Sequence, residues 1–367
     1  MKRVFVISML ALLFVSCATK AGEPREYSAA DDAIRYVGRV QCDDKGVSFD
    51  WSGTYLECRF SGEEVAVRVS DTKRNYYNVF VDGEHSGVVS TFGCDSIVTL
   101  AKSLDRGEHT LRLQKRTEGE QGRTTIHALL LPKGGELLEL TDIPTRHIEF
   151  IGDSLTAGYG TEGLSKDDPF LAETENCYKA HSCIIARYFD ADYTLLAHSG
   201  RGVARNYGDV KSSSDITMAE YIERLFDEGA DSCWDWTKST HKPDIVVIHL
   251  GTNDFSTQPF PSKEEFTADY IRILESVRKW YGESTPILCV APYVGSPCFD
   301  YIKELVASKP TQNLYFTAVV NGNYCNDSSE LGSSAHPNYE GQRKMAMTLI
   351  PYISTITGWE TVRRVVE

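Results

Sequence analysis

The residues of this chain best suited to making and breaking a bond lie in one short stretch, Ile148-Glu149-Phe150-Ile151-Gly152-Asp153-Ser154-Leu155-Thr156-Ala157-Gly158-Tyr159-Gly160. An apolar run suited to a buried strand ends at Gly152, and more glycines follow Ser154, so the serine stands on a tight turn just past a strand. A hydroxyl is a weak nucleophile until a neighbouring base takes its proton. Ser154 therefore needs a histidine and an anion-stabilising group from elsewhere in the chain. Three distant segments offer them: His198-Ser199-Gly200-Arg201-Gly202, Gly251-Thr252-Asn253-Asp254, and His336 directly before Pro337.

Strands must carry those segments. After Ser154 the pattern predicts a helix over 178–188, a strand over 193–197 and a second helix over 217–227. The run 244–250 is a clear buried strand, followed at once by Gly251. Ser262-Lys263-Glu264-Glu265 is a capping box, and the helix it opens carries Phe266, Tyr270, Ile273, Leu274 and Val277 on one face. A strand over 286–291, a helix over 298–308 and a last helix starting at Pro337 complete the half. Strands alternating with helices imply a doubly wound α/β domain with a parallel sheet. In such sheets the ligand lies beyond the carboxyl ends of the strands, where Ser154, Gly200 and Asn253 all fall.

The first half reads differently. From Val47 to about Leu140 the hydropathy alternates every second residue, as in Val65, Val67 and Val69 or Tyr77, Val79 and Val81, and turn signals such as Asp82-Gly83, Arg106-Gly107 and Glu118-Gly119 separate the runs. An antiparallel β-sandwich of jelly-roll type is expected. Trp51, Tyr55, Tyr76, Tyr77 and Phe92 offer platforms for a sugar ring, but each alone reads better as core or as the join to the second domain.

Met1-Lys2-Arg3 and the apolar run to Val15 form a secretory signal peptide, and Leu13-Phe14-Val15-Ser16-Cys17 resembles a bacterial lipobox. The expected division is a leader over 1–17, a tether over 18–27, the jelly roll over 28–143 and the α/β domain over 144–367. The expected address is that of an exported bacterial lipoprotein anchored in the outer membrane, on its periplasmic side or at the cell surface, with the lipid as its only membrane contact. A net charge of -14 argues against a nucleic-acid partner, which would need clustered Lys and Arg. Of ten cysteines, nine lie beyond Cys17, an odd and scattered set that makes no disulfide framework. No CxxC pair or His-rich cluster has zinc spacing, so neither a metal site nor a cofactor is expected.

Gly152-Asp153-Ser154-Leu155, Gly251-Thr252-Asn253-Asp254 and His336-Pro337 together resemble the SGNH (GDSL) hydrolase superfamily. The β-domain ahead of them, with Ser199-Gly200-Arg201-Gly202-Val203, resembles carbohydrate esterase family 2. That resemblance implies a serine esterase that deacetylates plant cell-wall polysaccharides or oligosaccharides such as xylan and glucomannan. In the roles it implies, Ser154 attacks the ester carbonyl and His336 takes the proton. The Ser154 N-H, the Gly200 N-H and the Asn253 amide receive the oxyanion, with Gly202 an alternative to Gly200. The superfamily's usual Asp three residues before the histidine is replaced by Ser333. A backbone carbonyl near Ser333 or Ser334, or else Asp327 or Glu330, must orient His336 in its place, and the dyad with a main-chain carbonyl is favoured. Asp153 is expected to hold its turn. Phe255, Trp234 and Tyr293 are candidate walls for the acyl group or sugar. The alternatives are a lipase or lysophospholipase acting on longer acyl esters and a non-catalytic carbohydrate-binding lipoprotein.

Overall fold

The computed structural model describes residues 23–230, 232–239, 241–319, 327–361 and 366. The leader, the lipobox and Cys325 lie outside them. The first half folds into strands β1 (Arg25–Ser28), β2 (Ile34–Val37), β3 (Gln41–Asp43), β4 (Gly46–Phe49), β5 (Tyr55–Ser61), β6 (Glu64–Val81), β7 (Glu84–Lys102), β8 (Glu108–Lys115), β9 (Thr124–Leu131) and β10 (Leu137–Leu138). They join in one antiparallel sheet with the central order β10-β5-β8-β6-β9-β4-β3. Register shifts within β6 let this long strand bend, pairing with β9 near its start and with β8 near its end. The sheet curls around Phe49, Leu56, Phe60, Val67, Tyr77, Leu113 and Leu129. Strand β1 falls partly in the expected tether. It pairs with β9 through backbone bonds that need no apolar signature, while Tyr27 leans on the core's edge.

The second half is a parallel sheet of β11 (Arg146–Gly152), β12 (Ala191–Ala197), β13 (Ile245–His249), β14 (Ile287–Ala291) and β15 (Leu314–Ala318), in the order β12-β11-β13-β14-β15. Helices α2 (His181–Tyr188) and α6 (Tyr339–Thr357) cover one face, where Phe150, Val247 and Leu288 meet Ile184, Met345 and Leu349. Helices α4 (Lys263–Tyr281) and α5 (Pro297–Ala307) cover the other, where Ile151, Ile248 and Cys289 meet Phe266, Tyr270 and Ile302. This is the expected doubly wound arrangement. The order reverses at β11, because β12 lies on one side of it and β13 on the other, and at such a switch point the crevice opens. Gly152 pairs with Ala197 and with His249, so three strands end level and the segments that follow them lie side by side.

Two local expectations need correction, and one strand was not foreseen. The helix over 217–227 is the single turn α3 (Met218–Tyr221): Thr217 and Glu220 make a capping box, but Arg224 bridges to Cys233 and turns the chain back. Strand β15 has a half-exposed, irregular sequence that gave no signal. The last helix is capped by Asn338, whose side chain accepts the N-H groups of Glu340 and Gly341, so Pro337 lies just outside it.

The two sheets share their cores. Trp51 is buried among the residues on one face of the parallel sheet, and Val37 and Tyr55 among those on the other. Tyr55 and Arg35 reach Asp192 of β12, and Gln114 reaches Tyr193. Tyr77 is buried in the first core, whereas Phe92 stays exposed. Among the described residues no helix is long and apolar enough to cross a membrane.

Candidate active site

Ser154 is the first residue of a one-turn helix, α1 (Ser154–Ala157), at the end of β11. Asp153 caps it, accepting the Leu155 N-H at 3.0 Å. Its other oxygen lies 3.4 Å from the Asn253 amide. Burial pushes this carboxyl up to about 7. Asp153 thus holds the serine's turn, as expected, and also ties it to the segment after β13.

His336 Nε2 lies 3.0 Å from Ser154 Oγ, and its Nδ1 lies 3.0 Å from the Ser334 carbonyl. With the ring proton on Nδ1 donated to that carbonyl, Nε2 presents a lone pair to the serine. A backbone oxygen therefore fills the place usually taken by an acid. Asp327 and Glu330 are engaged elsewhere: Asp327 is exposed and accepts the Ser329 N-H, while Glu330 is paired with Lys344. The carbonyl faces inward because Ser334 and Ala335 both adopt left-handed backbone, with φ of 54° and 56°. Each costs roughly 1–2 kcal/mol for a residue with a side chain. The Ser334 and Ala335 N-H groups are held by the carbonyls of Asp168 and Lys166, at 2.8 and 3.0 Å.

Among the described residues, neither the Ser154 N-H nor the Gly200 N-H bonds to a protein acceptor. Both stand free at the strand ends, as oxyanion donors must. The Asn253 amide beside them donates to the Arg201 carbonyl at 2.8 Å. Gly200, with φ of +77°, leaves room where a side chain would begin, with Tyr207 Cβ 4.0 Å away as its nearest neighbour. Gly202 is different. Its N-H is bonded to Asn206, and a Cβ there would come within 2.0 Å of the Arg205 carbonyl and 2.6 Å of Asp254. The geometry thus separates the two glycines, one facing the cleft and one packed. Asp254 accepts the N-H groups of Val203, Ala204 and Arg205 at 2.7 to 2.9 Å, tying the loop after β12 to the segment after β13.

The aromatic expectations fare worse. Trp234 lies against Arg39 and Trp280, lining a cavity of about 530 Å³ with His147 and Glu149 of early β11, at the opposite edge of the sheet from Ser154. The bridge from Arg224 to Cys233 carries it there. Phe255 packs among Phe260, Phe266 and Tyr301 and so anchors α4 and α5. Tyr293 follows β14 on the serine's edge and is exposed. The ring against His336 is Tyr159, at 4.5 Å, with Phe170 stacked on it at 4.0 Å. Tyr207 is 65% exposed and donates its N-H to the Gly200 carbonyl. Tyr159 stood in the opening motif, but Phe170 and Tyr207 have no pattern that marks them.

One group among the described residues has spacing for a cation: Glu120, His198 and Glu228, with ligand atoms within 4.8 Å of one another. His198, however, donates to Asp227 at 2.8 Å. Burial works against its charge, but Asp227, Glu120 and Glu118 carry its pKa up to about 11.

Residues 36–140 match a family model described as carbohydrate esterase 2 N-terminal, and residues 150–344 one described as the GDSL-like lipase/acylhydrolase family. The chain is 33% identical over 343 residues to a cellulase/esterase, CelE, of Acetivibrio thermocellus, covering 89% of this chain and 40% of that protein. It is 32% identical over 232 residues to an acetylxylan esterase / glucomannan deacetylase of Cellvibrio japonicus, covering 61% of this chain and 62% of that protein. It thus spans less than two thirds of either relative. Among solved structures, a family two carbohydrate esterase from Clostridium thermocellum in complex with cellohexaose superposes with a TM-score of 0.81 at 32% identity, covering 89% of this chain and 100% of that one.

Proposed function

The chain belongs to the GDSL-like lipase/acylhydrolase family and, within it, to the family 2 carbohydrate esterases, and on that premise we propose that it is a serine esterase removing O-acetyl groups from plant cell-wall polysaccharides or oligosaccharides such as xylan and glucomannan. The observation that carries the chemistry is the hydrogen-bonded line from Ser154 Oγ through His336 to the Ser334 carbonyl. Ser154 attacks the acetyl carbonyl as His336 takes its proton. The charge that develops on the carbonyl oxygen is met by the Ser154 and Gly200 N-H groups, and by the Asn253 N-H that makes the long 3.4 Å contact to Asp153 once it turns from that carboxylate. His336 returns the proton to the departing sugar hydroxyl, and an acetyl-enzyme is left for water to hydrolyse by the same steps. Tyr207 supplies an exposed aromatic face and Phe170 a half-buried one, on which sugar rings rest. The lipobox at Cys17 supports export as a lipoprotein held at the outer membrane.

The test is acetate release from acetylated xylan and glucomannan, with Ser154→Ala as control, alongside p-nitrophenyl acetate and octanoate. The expected result is acetate from at least one glycan, none with the variant, and faster turnover of the acetate than of the octanoate. Preference for the octanoate would favour a lipase, and silence on every glycan would remove the carbohydrate reading.

A further inference from the structure

The oxyanion loop is fastened at several atoms, and one fastening comes from the other domain. The Gly200 carbonyl accepts the Tyr207 N-H at 2.8 Å, and the Arg201 carbonyl accepts from Asn253. The Ser199 N-H and hydroxyl, however, both donate to the carboxylate of Glu118, one oxygen each. Glu118 follows β8 of the antiparallel domain and is 2% exposed. Its own position is set from below. Lys115, fully buried, donates its ammonium to the Thr117 and Glu118 carbonyls at 2.6 and 2.8 Å, and the Gly119 N-H donates to Asp227 at 2.9 Å. A two-pronged acceptor on a rigid support thus grips the residue immediately before Gly200.

We infer that Glu118 is a positioning residue of the oxyanion hole: by holding both donors of Ser199 it anchors the His198-Ser199 peptide and the Ser199 side chain, from which the next peptide and its Gly200 N-H extend toward the cleft. An N-H contributes to transition-state stabilisation only if it already aims at the oxyanion, so the orientation must be fixed before reaction. A carboxylate so near a developing negative charge would oppose it, but the charged His198 alongside offsets that cost. The antiparallel domain is then a structural part of the esterase centre and not a detachable binding module. This rests on the esterase reading above.

The test compares Glu118→Ala, Glu118→Asp and Glu118→Gln with the native protein by p-nitrophenyl acetate kinetics, by the rate at which a fluorophosphonate probe labels Ser154, and by melting temperature. Glutamine keeps an acceptor for the Ser199 N-H and a partner for its hydroxyl, so it should retain most of kcat. Alanine, and aspartate through its shorter reach, should lower kcat by about 10- to 100-fold with KM within about twofold, because misaiming by about 1 Å costs on that order. Probe labelling should slow in parallel. If alanine fails to fold, aspartate decides. The inference is overturned if alanine or aspartate, folded, keeps kcat within twofold, if the loss lies in KM, or if glutamine falls as far as alanine. Normal labelling and p-nitrophenyl acetate turnover without acetate release from any glycan would overturn the carbohydrate reading and leave this inference standing.

Discussion

His336 must be neutral to take a proton, and its surroundings favour that state. Burial lowers its pKa below the ordinary value near 6.5, and the backbone contacts at Ser333 and Ser334 only partly restore it. A lowered pKa means that more acid is needed to protonate the base. The acid limb of kcat/KM for acetyl-ester hydrolysis should therefore lie below pH 6.5, and a limb centred near 7 or above would contradict the geometry. At this scale the reactive atoms were legible and the walls were not. Ser154 and Asn253 stand near glycines just past strand ends, and His336 stands beside a proline, a spacing the eye can find. Phe255 and Trp234 are aromatic for the sake of packing, and a single sequence does not distinguish a ring in a core from a ring in a cleft.

At the scale of elements, the loop that carries His336 does what an aspartate does elsewhere, and it does so with backbone. Two successive left-handed residues, 334 and 335, turn the Ser334 carbonyl onto the histidine, and the straps from Asp168 and Lys166 hold them there. Since His336 is oriented by the Ser334 carbonyl and the Ser334 side chain reaches only Tyr159, Ser334→Gly should keep most activity, and Asp327→Ala nearly all. Ser334→Pro fixes φ near −65° and deletes the N-H donated to Asp168, so it should lower kcat by about 100-fold through displacement of His336. Equal kinetics for Ser334→Gly and Ser334→Pro, or a thousandfold loss in Asp327→Ala with its fold preserved, would sink the main-chain dyad. The same distinction explains which elements the sequence disclosed. Strands β11, β13 and β14 are buried on both faces and read as continuous apolar runs. Ser262 announced α4 by its capping box. Strand β15 is an edge whose pairing is carried by backbone, and α3 was cut to one turn by the contact between Arg224 and Cys233, neither of which leaves a local pattern.

For the whole molecule, the seam between the sheets is where the sequence said least. Asp50, Glu118, Glu120, Glu175, Asp227 and Glu228 lie far apart along the chain with no motif in common, yet they converge around His198 and Lys115. Asp50 accepts the N-H groups of Asp227 and Glu228, Asp227 accepts from His198 and Gly119, and Glu118 grips Ser199. Glu120 and Glu228 are exposed, but Asp50, Glu118, Glu175 and Asp227 are buried, and buried acids so close together are tolerable only while their cations stay charged. The seam should therefore weaken in alkali. The His198 pKa is about 11 folded and about 6.5 unfolded, so its contribution to stability is complete below about 6.5 and is lost progressively as pH rises toward 11. Asp50, pushed up to about 6 by burial and by Asp227, acts at lower pH, because its extra proton is gone well before pH 8. Lys115, lowered by burial, pulls the opposite way at high pH, and burial holds the Tyr55 and Tyr77 hydroxyls protonated there, but a His198→Gln variant shares all of these with the native chain. The difference in melting temperature between the two proteins isolates the histidine. It should be largest near pH 6.5 and shrink steadily between pH 8 and 10, whereas a constant difference across that range would show that His198 acts by packing alone and that its charge does not hold the two domains together.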